Sequence, residues 1–267
     1  MMKTAFKNFL LKKNLYYPLK YSRLFRLYQL LFKPKEIRQQ HGEIIFYKSF
    51  LPSCELIFDI GANDGHKTEA FLKMSGKVVC CEPDKENFKI LQARFINKKK
   101  RVFLENKAVS DQEGYAEFHI HHPGSAFNTL SSKWKKLLEE DNMEKWNEQI
   151  KFTQTQTVET TILDQLINKY GVPDYIKIDV EGFEQWVLKG LSQKVSYLSF
   201  ETLLPDYTSE MNNCLSIIST LDPFATYNIA LHEKLTLPRF VGKNELEKKL
   251  DTHTNTLSFE IIVKMSK

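Results

Sequence analysis

The chain has 267 residues, 42% hydrophobic and 27% charged, proportions that allow one sizeable core without disulfide or metal staples and exclude a collagenous or disordered chain. No apolar run approaches the roughly 18 residues needed to cross a bilayer. The net charge of +5 is uneven: residues 1–50 hold eleven Lys/Arg against Glu36 and Glu43, or +9, leaving 27 against 31, or −4, for the rest.

Residues 1–35 place Phe6, Phe9, Leu10, Leu24, Leu27, Leu30 and Leu31 at helical spacings between basic residues, with Pro18 and Pro34 as punctuation. A basic amphipathic extension over 1–52 is expected, packed on the main domain or a second subunit, or docked on an anionic membrane surface or partner through residues 1–35. Lys12 and Lys13 break the first apolar patch and no small-residue cleavage site follows, so no secretory signal is expected. Cys54, Cys80, Cys81 and Cys214 show no zinc or disulfide spacing, which points to reduced thiols and a cytoplasmic location.

From residue 53 to the end, short β-rich runs alternate with helical stretches, the pattern of a single α/β domain whose mostly parallel sheet is covered by helices on both faces. Strands are expected at 56–60, 77–81, 101–104, 175–179 and 195–200, and helices at about 66–74, 85–96 and 184–190. Weaker strands at 225–230 and 257–263 suggest an antiparallel hairpin at the sheet edge. Between the third and fourth runs, an insertion at about 112–160 holds a strand (115–120), a polar loop, a charged helix (132–148) and a Thr-rich strand, as binding loops or lids do. The mildly acidic body argues against a nucleic-acid partner.

The most informative stretch is Phe58-Asp59-Ile60-Gly61-Ala62-Asn63-Asp64-Gly65, where a hydrophobic strand must turn into a helix. Gly61 and Gly65 permit positive φ and a close backbone approach to a ligand, and the helix N-terminus after them suits an anionic group. Glu82 follows the second strand, 23 residues after Asp59, where a ribose would lie and where dinucleotide-binding folds place an acid about 20 residues past their glycine loop. Asn106 and Ala108, after the third strand, are placed to read an adenine edge. The loop reads Gly-x-Asn-x-Gly and lacks the GxGxxG spacing of nicotinamide and flavin enzymes.

With Asp59 ahead of it, this loop resembles motif I of class I methyltransferases that use S-adenosylmethionine (SAM). The order of FDIGANDG, CCEPD, NKAVSD, Val158-Glu159-Thr160-Thr161-Ile162-Leu163-Asp164 and YIKIDVEGFE, over about residues 55–201, resembles the FkbM family. The resemblance implies a Rossmann-like fold with a seven-stranded sheet whose last strand is antiparallel. It also implies SAM as cofactor and O-methylation of a natural-product small molecule or glycan. Asp59, Gly61, Asn63 and Gly65 would then frame the methionine part, Glu82 the ribose, and Asn106 or Ala108 the adenine. His66 and Lys67 depart from the uncharged pair common in the family.

Methyl transfer is an in-line displacement, so the protein must align the reactants and remove a proton when a hydroxyl attacks. Asp179, at the end of the fourth strand, is the expected neighbour of the reacting methyl, with Glu181 or Glu201 as base; Glu184 reads as a catalytic acid or a helix-terminus charge. His121 and His122 offer another base or a surface pair. No spacing demands a metal. The rival readings are a nicotinamide-dependent oxidoreductase and an inactive SAM-binding scaffold.

Overall fold

The computed structural model describes residue 9, residues 16–22, residue 32, and residues 34–140, 149–250 and 257–266. Most of the 1–35 segment, including Phe6, Leu10 and the four later leucines, lies outside the described residues, as do residues 141–148 of the charged helix.

Two helices, α1 (Tyr16–Lys20) and α2 (Pro34–Lys48), precede β1 (Cys54–Ile60), α3 (His66–Phe71), β2 (Ser75–Cys81), α4 (Lys85–Arg94) and β3 (Val102–Glu105). The insertion supplies β4 (Ala108–Val109), β5 (Gly114–Ile120), α5 (Ser132–Glu140) and β6 (Gln154–Thr161). Then follow α6 (Leu163–Tyr170), β7 (Tyr175–Ile178), α7 (Glu184–Lys189), β8 (Tyr197–Leu204) and α8 (Thr208–Leu221). The chain continues through β9 (Thr226–Leu231), β10 (Lys234–Leu235), α9 (Lys243–Leu250) and β11 (Leu257–Lys264).

The main sheet runs β10-β9-β11-β8-β7-β1-β2-β3, and β4-β6-β5 form a second, three-stranded sheet. Strands β3, β2, β1, β7 and β8 are mutually parallel, whereas β11 is antiparallel to both of its neighbours. A strand buried on both faces reads as a continuous apolar run, and β1 is buried at every position except Glu55. Leu56, Phe58 and Ile60 enter the core on one face, while Ile57 joins Phe46, Tyr47, Phe71 and Leu91 on the other. Helices therefore cover both faces, as the alternation of elements implied.

Two expectations are corrected. The sheet has eight strands, not seven, because β9 turns back through His232 and Glu233, both at positive φ (48° and 58°), to form the short strand β10. That two-residue turn is the geometry that closes a tight hairpin. The weak C-terminal strands β9 and β11 pair antiparallel but do not form an edge hairpin: β11 inserts between β8 and β9. Phe259, Ile261, Ile262 and Val263 are all buried, so both faces of β11 are covered.

Where it is described, the N-terminal extension packs on the sheet domain. The Tyr47 ring meets Phe71 edge-on at 4.8 Å between centroids, and the Arg94 guanidinium lies 5.1 Å from the centre of the Tyr21 ring. Among the described residues no helix is long and apolar enough to cross a membrane.

The direction of chain progression reverses between β1 and β7: β2 and β3 lie to one side, β7 and β8 to the other. Open parallel sheets bind ligands beyond the strand C-termini at such a switch point. The fold thus brings the ends of β1, β2, β7 and β8 to one crevice.

Candidate active site

The crevice is an open cleft with a cavity volume of about 180 Å³. Gly61 and Asn63 from the turn after β1, Glu82 after β2, Ala108 from β4 and Asp179, Glu181 and Glu201 line it. Phe118, Leu130 and Val109 add an apolar wall near Ala108.

Gly61 sits at φ +82°, and a Cβ there would lie 1.8 Å from the Asp179 carbonyl oxygen. No side chain fits. The close approach of β1 to β7 is sealed by Asp179 N donating to Ile60 O at 3.0 Å, while Gly61 N donates to Cys81 O at 3.0 Å. Asn63 follows in the left-handed region at φ 50°. Its amide donates to Glu82 Oε2 at 2.8 Å, and the Asp84 amide donates to Glu82 Oε1 at 2.8 Å. Burial pushes the Glu82 carboxyl up to about 8 against the pull of these two amides.

Three expected cofactor residues stand off the cleft wall. Asp59 is buried and accepts a hydrogen bond from Thr68 Oγ1 at 2.5 Å, pinning α3 to β1; burial raises its carboxyl to about 6. Gly65, at φ +82°, is packed against Phe95 and Leu91. Asn106 donates from Nδ2 to the backbone oxygens of Glu82 at 2.8 Å and Pro83 at 3.2 Å, fixing the turn that carries Glu82. His66 and Lys67 also turn away: His66 Nε2 is 2.8 Å from the buried Glu43, and Lys67 bridges Glu43 and Glu233.

At the other end, Asp179 pairs with the buried Lys177, Nζ to Oδ2 at 2.8 Å. The two stand two residues apart and so share a strand face. Burial alone would raise the Asp179 carboxyl, but the Lys177 ammonium outweighs it and holds the group below its ordinary value. Glu201 hydrogen-bonds Asp179 and accepts from Ser258 Oγ at 2.6 Å; burial and the Asp179 charge push it up to about 8. The apolar run of the fifth strand ends near here, whereas β8 continues to Leu204 because β11 pairs with it as far as Leu257. The parallel pairing with β7 does stop at Phe200, one residue before Glu201, and so leaves the carboxyl at the crevice.

Glu181 occupies the left-handed region at φ 55°, and burial with the charges of Asp179, Glu201 and Glu184 raises it well above the usual carboxylate range. The next residue, Gly182, is at φ +85°, and a Cβ there would come within 2.5 Å of the Tyr207 hydroxyl. Glu184 accepts from the Gly182 amide at 3.1 Å and the Val180 amide at 3.3 Å, so it ties this turn down. Burial lifts it to about 7 despite those bonds.

A second cavity of about 180 Å³, walled by Phe127, Trp134, Leu203 and Tyr207, shares only Glu181 and Glu201 with the first among the residues that line them. The insertion roofs the junction. Asp84 Oδ1 caps α4 by accepting from the Glu86 and Asn87 amides, and its Oδ2 accepts from Gly124 N at 3.2 Å and Asn128 Nδ2 at 2.9 Å. Thr129 Oγ1 donates to Glu181 O at 2.8 Å. Asp84, Lys177, Trp134 and Tyr207 join the site without any motif in the sequence that marks them as part of it. For Lys177 the i, i+2 spacing to Asp179 was a usable signal; for Trp134 and Tyr207, far apart in the chain, none existed. The histidines of the insertion line neither cavity: His119 is buried against Ser132, His121 contacts Ser125, and His122 is beside the Pro123 carbonyl.

Residues 59–213, more than half of the chain, match the methyltransferase FkbM domain. The chain belongs to that family. Among solved structures it is similar to methyltransferase FkbM from Methylobacillus flagellatus KT, with 16% identity and a TM-score of 0.49 over 72% of this chain. The chain spans 44% of the length of that protein. It is also similar to precorrin-6y C5,15-methyltransferase from Geobacter metallireducens GS-15, with 10% identity over 85% of this chain and 87% of the other, TM-score 0.41. An rRNA methylase from Streptococcus thermophilus follows, with 12% identity over 85% of this chain and 96% of the other, TM-score 0.41. No protein of curated function matches the chain.

Proposed function

We propose that this FkbM-family chain is a SAM-dependent O-methyltransferase acting on a hydroxyl of a glycan or natural-product small molecule. The observation that carries the reading is the meeting of two cavities at Glu181 and Glu201, one bounded by the glycine turn and Glu82, the other by aromatic side chains. A two-substrate displacement needs that arrangement, with donor and acceptor entering from opposite sides of one point.

The donor cleft fits SAM. Glu82 offers a buried carboxyl at a strand end for two ribose hydroxyls, the apolar wall at Ala108, Val109, Phe118 and Leu130 suits an adenine, and the turn at Gly61 and Asn63, which lines the cleft, suits the methionine portion. When bound, SAM supplies a methyl group activated by a sulfonium. Asp179, kept ionised by Lys177, accepts a hydrogen bond from the acceptor hydroxyl and orients it. Glu201 receives the hydroxyl proton, and its value of about 8 lies near neutral pH, where a general base works best. Glu181 closes the floor between the two cavities, and the Asp84-anchored loop shields the junction from water.

Calorimetric titration with S-adenosylhomocysteine (SAH), and separately with NADH, tests this reading without knowledge of the acceptor. SAH alone is expected to bind. Binding of NADH alone would overturn the account of the glycine turn, and binding of neither would leave a protein with the family fold and no use for the cofactor.

A further inference from the structure

We infer that Asn87, on the first turn of α4, binds the ribose of the donor: its side-chain amide donates to a ribose hydroxyl oxygen while Glu82 takes the hydroxyl protons. The inference deepens the proposed function and rests on it for the assignment of this cleft to SAM. Two observations lead there, one on the side chain itself and one on the donors around it.

Asn87 is 2% exposed and lines the donor cleft together with Glu82 and Pro83. Its backbone amide is spent on Asp84 Oδ1 at 2.9 Å, but its side-chain amide has no hydrogen-bond partner among the described residues. Withdrawing a carboxamide from water without a partner costs stability, and native proteins pair nearly all such groups. A carboxamide kept in this state on the wall of a cleft finds its partner in what enters the cleft. The insertion passes close by: Gly124 is at φ +78°, and a Cβ there would stand 3.3 Å from Asn87 Oδ1. Asp84 holds that loop against α4 through Gly124 N and Asn128 Nδ2.

The second observation is a shortage of donors. Two ribose hydroxyls that give their protons to Glu82 leave their own oxygens as acceptors in a cleft from which the bound nucleoside displaces water. The amides next to Glu82 are already used. Those of Asn63 and Asp84 both go to its carboxyl. Asn106 Nδ2 is shared between the Glu82 and Pro83 oxygens, and Asn128 Nδ2 between Asp84 Oδ2 and the His122 oxygen. The Asn63 side chain belongs to the turn after β1, on the methionine side. Asn87 Nδ2, five residues after Glu82 on the same connection, keeps both of its hydrogens. A carboxamide also donates without bringing a charge, which suits a neutral hydroxyl.

The test is calorimetric titration of the parent protein and of Asn87→Ala with SAH and with its 2′-deoxy and 3′-deoxy analogues. Asn87→Ala should weaken SAH about tenfold. At least one of the two analogues, lacking the bonded oxygen, should lose less than about threefold on the same substitution. The midpoint of denaturant unfolding of the free variant should stay or rise, because no bond within the protein is lost. Asn87→Leu, which leaves less room for a replacing water, should repeat the pattern. Unchanged SAH affinity overturns the inference, and so does an equal loss with all three ligands. An equal loss joined to a lower unfolding midpoint assigns Asn87 to the packing of α4 instead. SAH binding to the parent protein without this discrimination sinks only the inference, whereas no SAH binding to the parent sinks the cofactor reading and the inference with it.

Discussion

Glu82 gives the most direct link between the electrostatics of the cleft and cofactor affinity. Its carboxyl stands at about 8, against an ordinary value of 4.5, because burial outweighs the amides of Asn63 and Asp84. Near neutral pH the free protein therefore holds it mostly protonated, while two ribose hydroxyls donating to it favour the ionised form. Binding must release this proton, so SAH affinity should rise about tenfold per pH unit well below pH 8, or about fiftyfold from pH 6 to pH 8, and level off above. The sign for stability is opposite. A carboxyl raised on folding contributes stability that is full below its unfolded value and is lost as pH climbs through about 8, an upper bound of about 5 kcal/mol for this shift. Calorimetry in two buffers of different ionisation enthalpy reads the proton directly, and SAH, which lacks the sulfonium charge, avoids a contribution from Glu201. Glu82→Gln should flatten the affinity profile by about one logarithmic unit per pH unit. A flat profile in the parent protein, or the same slope in the variant, refutes the reasoning.

Gly61→Ala would force a Cβ into the Asp179 carbonyl at φ +82°, and the strain, overpacking and broken strand contact together should cost roughly 3–6 kcal/mol in denaturant unfolding. Gly42→Ala, within α2 and with nothing within 4 Å of the added carbon, should instead stabilise by about 0.5–1 kcal/mol. Asp84→Ala removes the acceptor of four hydrogen bonds and should cost about 2–4 kcal/mol, with amide exchange rising in residues 122–128 as well as at the start of α4. Faster exchange in α4 alone would show that Asp84 only caps the helix. Asp179→Asn should leave SAH binding in place and lower turnover about a hundredfold or more once an acceptor is in hand. Glu201→Gln should abolish a rise in turnover through about pH 8, and a retained rise would remove Glu201 as the base.

The alternation of β-rich and helical runs was enough to place β1, β2, β3, β7 and β8 and the mostly parallel sheet, because strands buried on both faces write their burial into an unbroken apolar run. It was not enough for β11. An antiparallel strand inserted between β8 and β9 differs from an edge strand only in what lies beside it, and pairing partners are absent from local pattern. The same limit divides the site. Gly61, Asn63, Glu82 and Asp179 were legible because strand-end turns put chemistry at fixed points of the chain. Asp59, Gly65 and Asn106 carry the same motif-like spacing yet do not line the cleft: the alternation of side chains along β1 sends Asp59 to Thr68, Gly65 lies against Phe95 and Leu91, and Asn106 is spent on the turn that carries Glu82. The aromatic cavity needs Trp134 from the insertion and Tyr207 from beyond β8, a meeting that only the folded chain displays.

The position of the junction follows from unequal strand lengths. β7 ends at Ile178, and β8 runs on to Leu204 only because β11 supports it from the other side. The missing continuation of β7 leaves one edge of β8 without a parallel partner just where Glu201 projects, and the turn Val180-Glu181-Gly182 fills part of that gap while Glu184 holds it from below. Had β7 continued, Glu201 would be covered by its neighbour and the two cavities would be separated by a paired strand. The left-handed backbone at Glu181 and Gly182 turns the chain away from the sheet shortly after β7 ends. A change that restores a right-handed turn there, such as Gly182→Ala, must also displace the Tyr207 hydroxyl. It should disturb the aromatic wall before it disturbs the Glu82 end of the donor cleft: acceptor-side probes lose affinity and SAH affinity stays within about threefold. Equal loss at both ends would mean that the junction is not the boundary between two independently built sites.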